Sequence, residues 1–121
     1  MKWEGFIETL RIKIRDAKFF YSSLEEKTGF KIYDGDKYYV IFVVKRCFAN
    51  LSGDYKPPRQ TFCYMYIKKK GLIFGKTLAF VRPERQGHTA DLRIPYGYME
   101  EINTIIDDEF KKRREEFLES T

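Results

Sequence analysis

Apolar residues recur at helical spacing over the first part of the chain. Trp3, Phe6, Ile7, Leu10, Ile14, Ala17, Tyr21 and Leu24 step mostly by three or four and form one stripe. The spacing predicts a helix over 3–28, with Gly29 in the place of a helix C′ glycine. The stretch 10–15 alternates with period two and by itself suits a strand, but the helical template accounts for more positions. Ile12 and Phe19 lie off the stripe.

From residue 30 the period becomes two. Phe30–Tyr33 is a short strand, and Asp34-Gly35-Asp36 supplies the positive-φ turn of a tight hairpin. Lys37–Ala49 is then a long strand. Tyr39, Ile41, Val43 and Cys47 fall on one face, and Tyr38, Val40, Phe42, Val44 and Phe48 on the other. Both faces are apolar, as in a strand in the middle of a sheet covered twice. Residues 50–60 contain Gly53 and Pro57-Pro58 and read as a loop. Thr61–Lys70 resumes the alternation, with Phe62, Tyr64 and Tyr66 on one side and Cys63, Met65 and Ile67 on the other. Leu72–Val81 is a fourth strand, which Pro83 ends, and 83–95 is a polar connection. Met99, Ile102, Ile105, Ile106, Phe110 and Phe117 mark a second helix over 97–118. Its outer face offers acid-to-base pairs Asp107–Lys111, Asp108–Lys112 and Glu109–Arg113.

This order predicts a single α+β domain over 1–121: a four-stranded antiparallel meander flanked by an N-terminal and a C-terminal amphipathic helix. Either one helix covers each face of the sheet, or both cover one face and the other meets a second subunit. Two helices of ~10–12 Å diameter cover about one face. A homodimer through the remaining apolar face is therefore expected. If the two long strands pair about a loop centred near residue 55, Cys47 faces Cys63, and both act as small, reduced, hydrophobic thiols.

Composition narrows the classes. With 43% hydrophobic and 34% charged residues in 121, the chain is too apolar for disorder and too charged for a membrane protein. Its longest apolar run, Tyr38–Val44, falls far short of the ~20 residues that cross a bilayer. The first residues lack an apolar leader, so a cytoplasmic location is expected. One histidine and two cysteines exclude Cys₄ and Cys₂His₂ zinc sites. No Gly-rich phosphate loop occurs, so neither metal nor cofactor is expected, and a non-catalytic role ranks above an enzyme.

The net charge of +5 hides a strong asymmetry. Residues 30–95 carry 13 basic and 5 acidic groups, whereas residues 96–121 carry 4 basic and 8 acidic groups. The basic region favours an anionic partner: nucleic acid, a nucleotide or an acidic protein surface. Two constellations could meet it. Lys68, Lys69 and Lys70 lie beside Tyr64 and Tyr66, combining phosphate neutralisation with aromatic faces on which bases stack. Arg82, Arg85, His88 and Arg93 cluster within 12 residues, where arginine forks grip phosphate and a histidine adds pH dependence. Each also has a plain structural reading, as core tyrosines beside a solvated turn and as a hydrophilic connection. A binding module for nucleic acid or nucleotide phosphate ranks first. A self-associating or protein-interaction role through an apolar sheet face ranks second. A small hydrolase or nuclease using Arg85, His88 and Asp91 ranks third, because it needs a metal or nucleophile that the sequence does not display.

Overall fold

The computed structural model describes residues 3–21, 28–48, 59–71, 75–83 and 94–120. Their order is α1 (Trp3–Ala17), a short 3₁₀ turn (Lys18–Tyr21), β1 (Thr28–Asp34), β2 (Tyr38–Phe48), β3 (Arg59–Lys69), β4 (Lys76–Val81) and α2 (Tyr96–Glu119). The strands form one sheet in the order β1-β2-β3-β4, antiparallel throughout. The α+β meander with a helix at each end is therefore the architecture.

Both helices lie on the same face. The stripe of α1 and the 3₁₀ turn, from Trp3 to Tyr21, is buried together with Met99, Ile102, Ile106 and Phe110 of α2. These pack on Val40, Phe42, Val44, Met65, Ile67, Ala79 and Val81 from the inner side of the sheet. Strands ~4.8 Å apart make a four-stranded sheet about as wide as two adjacent helices, so one face is fully covered. Phe42 is the aromatic hub of this core, with ring centroids at 5.0 Å from Tyr21, 5.3 Å from Phe110 and 5.7 Å from Phe30.

Polar contacts fix the helices to each other. Lys13 reaches across from α1 to Asp107 at 2.9 Å and donates to Asn103 at 3.1 Å. Arg113 donates to the Phe20 carbonyl at 2.8 Å and lies over the Tyr21 ring. Asp107 of α2 thus works between elements rather than along the helix. Asp107 pairs with Lys13 instead of Lys111, and Arg113 approaches Glu116 instead of forming the expected pair with Glu109.

Several local expectations are corrected. The first helix ends at Ala17 rather than running to 28, and Gly29 lies within β1. After Ala17 the chain tightens to a 3₁₀ turn, Arg113 takes the Phe20 carbonyl, and Tyr21 closes onto Phe42 and Phe110. Phe19, off the apolar stripe, is 64% exposed. The hairpin turn forms, with the Gly35 amide donating to the Tyr38 carbonyl at 2.9 Å. Gly35 is not in the left-handed region; a Cβ there would instead meet the end of the buried Tyr33 ring, which would have to shift. Cys47 and Cys63 are not opposite each other. Cys47 pairs with Gln60 and Cys63 with Val44, because the β2–β3 register is offset by three residues from the one assumed. Cys63 is buried in the core. β3 begins at Arg59, inside the stretch read as loop, and residues 49–58 and 72–74 lie outside the described residues.

Candidate functional site

The outer face of the sheet is covered by neither helix. Alternation and register place its residues. In β2 they are Tyr39, Ile41, Val43 and Lys45, which face Lys68, Tyr66, Tyr64 and Phe62 of β3 in that order. Tyr66 in turn faces Phe80 of β4, and Lys31 of β1 faces Ile41. Val43 is buried but stands apart from the core cluster, as befits a residue on the far side of the sheet.

Three of these rings form one platform. Tyr66 and Phe80 stack with centroids 4.7 Å apart and planes 27° from parallel. Tyr64 meets both edge-on, at 5.7 Å from Tyr66 and 5.3 Å from Phe80. All three are half-buried, so each ring retains an accessible part. Cations stand at both ends: Lys68 lies 5.7 Å from the Tyr66 centroid, and the Arg82 guanidinium 4.5 Å from that of Phe80. Lys31 sits 5.0 Å from the Tyr39 ring on the β1 side. Such contacts hold ammonium and guanidinium groups beside the ring faces while leaving their N–H donors toward solvent.

The same face ends in a depression of about 370 Å³ lined by Lys31, Tyr39, Ile41, Lys70, Gly71 and Gly75. Lys70 there holds Asp34 at 2.7 Å. The hydrogen bond from Lys70 and the nearby charge of Lys31 keep the Asp34 carboxyl below the usual carboxylate range. Asp34, on the rim, is the acid that β1–β4 contribute to this face among the described residues, and it is already paired.

The residues expected from sequence divide accordingly. Tyr64, Tyr66 and Lys68 come together on the outer face. Lys69 has the opposite parity, across from Tyr38 and Lys76. Lys70 turns to Asp34 and the depression. Arg82 lies over the Phe80 ring. Arg85, His88 and Arg93, with Asp91, lie outside the described residues. Phe80, Tyr39 and Lys31 were missed as site residues. Tyr39 was legible from its parity alone. Phe80 was not, because a bulge between Ile67 and Lys68 shifts the β3–β4 register. Among the described residues no three His, Cys, Asp or Glu side chains converge on a point where a metal could bind, and no helix is long and apolar enough to cross a membrane.

The fold and this face define a class: an α+β domain whose two helices back one side of a four-stranded antiparallel sheet, the other side being aromatic and basic and covered by neither helix. No family model, curated protein or solved structure matches the chain.

Proposed function

We propose that the protein is a non-catalytic binding module for single-stranded nucleic acid, held on the outer face of the sheet. The observation that carries this reading is the stacked Tyr66–Phe80 pair with a cation at each end. Aromatic faces on a sheet accept bases of any identity, and the flanking cations neutralise the phosphates between them. A duplex keeps its bases stacked inside and cannot use such a platform. The acidic groups of α2 lie on the opposite side of the sheet, where they do not oppose a strand on the outer face. The segment following Arg82 carries Arg85, His88 and Arg93, which are candidates to lengthen the cationic track.

A second copy of the chain is the competing occupant, since the face is apolar enough to support a homodimer. Charge ranks it lower. A face-to-face pair would bring Lys31, Lys45, Lys68 and Arg82 of each copy toward the same set, and like charges in apposition oppose association.

Fluorescence anisotropy with a labelled oligodeoxythymidylate, and with a duplex of the same length, tests the reading. Tyr66→Ala and Phe80→Ala should each weaken single-strand binding by ~1–3 kcal/mol. The salt dependence should follow about 0.7 in log–log slope per phosphate contacted. Unchanged affinity in the double variant, with a native thermal melt, would refute the platform. A dimer by light scattering that the double variant dissociates, without any oligonucleotide binding, would transfer the face to self-association.

A further inference from the structure

We propose that the depression at the end of the outer face is a phosphate subsite whose lysine is occupied, in the free protein, by Asp34. This rests on the single-strand reading above and names where one phosphodiester of the strand is held. The lining is Lys31, Tyr39, Ile41, Lys70, Gly71 and Gly75. Two ammonium groups and a phenol supply donors to a group that, as a phosphodiester anion, only accepts. The two glycines put no side chain in the way of an approaching phosphate, and Tyr39 lies directly over the backbone of Gly75.

Position links this subsite to the platform. Ile41, in the lining, faces Tyr66 in the sheet and Tyr39 faces Lys68, so the depression borders the stacked rings and extends two residues, ~7 Å, along the strands from them. A strand with a base on Tyr66 and Phe80 runs its backbone past Lys68 toward Lys31 and Lys70.

Asp34 stands in for the phosphate. Its Oδ1 accepts from the Lys70 ammonium at 2.7 Å, and both side chains are substantially exposed, at 51% and 39%. An exposed ion pair of this kind is weak and readily exchanged. The other nearby carboxylate, Asp36, is engaged elsewhere, accepting from the Tyr98 hydroxyl at 3.1 Å and the Lys37 amide at 3.0 Å. Around them this end of the sheet carries Lys37, Lys68, Lys69 and Lys76 in addition to the two lining lysines. A phosphodiester therefore displaces one carboxylate and meets an otherwise cationic setting. Asp34 sets the threshold: it lowers affinity for isolated anions and yields to a strand already anchored by stacking.

The experiment is a mutant cycle between Asp34 and Lys70, read by anisotropy of a labelled oligodeoxythymidylate over a salt series. Asp34→Asn should tighten binding about three- to tenfold at low salt. It should also steepen the salt dependence by about 0.7, one further phosphate contact. In a Lys70→Ala background the same change should have no effect. Inorganic phosphate should compete better against Asp34→Asn than against the wild type; equal competition would overturn the proposed displacement. If the wild type binds and Asp34→Asn changes neither affinity nor slope, the subsite is refuted while the platform stands. A gain that persists without Lys70 refutes it too, since that is only the field of one charge removed. No binding of the oligonucleotide by a natively folded wild type overturns the single-strand reading and the subsite with it. Asp34→Ser, with circular dichroism of every variant, guards against an effect peculiar to the asparagine.

Discussion

Tyr21 gives the fold a predictable failure in alkali. Its ring closes the core between Phe42 and Phe110, with 4% of the residue exposed. Burial pushes its hydroxyl from the ordinary 10.0 up to about 12, against the opposing pull of Arg113 and with a further push from Glu109. The folded state thus keeps a proton that the unfolded chain loses, and between those two values the unfolded state binds fewer protons. Stability from this group is complete below pH 10 and falls as the pH rises to about 12. At ~1.4 kcal/mol per pH unit the loss is about 2–3 kcal/mol across the window. Urea denaturation at intervals from pH 9 to 12, on the wild type and on Tyr21→Phe, isolates it, because every other tyrosine and lysine titrates in both proteins. The stability advantage of the wild type over the variant should shrink by about that amount. Parallel curves for the two proteins across the window would refute the assignment. Tyr33, 2% exposed and pushed up to about 12 by burial and by Glu101, should lose its contribution in the same direction over the same range.

Three other outcomes follow from particular contacts. Phe42→Ala removes the hub that touches Tyr21, Phe30 and Phe110 and should cost about 3–5 kcal/mol by chemical denaturation. Gly75→Ala places a Cβ against the Tyr39 hydroxyl, a ring end that can swing away. It should leave the melt within about 1 kcal/mol of native while weakening oligodeoxythymidylate binding through the displaced Tyr39. Lys13→Ala removes the Asp107 and Asn103 contacts between the helices and should cost at most about 1 kcal/mol, less as salt is added.

Much of the candidate site was readable as chemistry before it was readable as a place. Tyr64, Tyr66 and Lys68 share a parity within one strand, and strand parity follows from backbone geometry alone. Their neighbours could not be named so early. Phe80 joins Tyr66 only through the β3–β4 register, which a bulge displaces, and Lys31 joins Ile41 only through the β1–β2 register, which slips between Lys31 and Tyr33. The cysteine pairing failed for the same reason. It assumed where the chain turns between β2 and β3, and a three-residue error there moves Cys63 from Cys47 to Val44.

By itself, then, the sequence determined what depends on short-range periodicity: two amphipathic helices, four strands, their antiparallel order and the basic character of the strand region. It left open which face of the sheet the helices would take, because both faces of β2 and β3 are apolar. The tertiary structure decided that by composition of a subtler kind. The inner side carries Val40, Val44, Met65, Ile67, Ala79 and Val81, with Phe42 the hub among them, and receives the helices. The outer side carries Tyr39, Tyr64, Tyr66, Lys31 and Lys68, whose polar ends reach water from the end of a ring or stem. Helices pack where the whole side chain can leave solvent, and a face whose side chains keep a polar end in water is left uncovered by them.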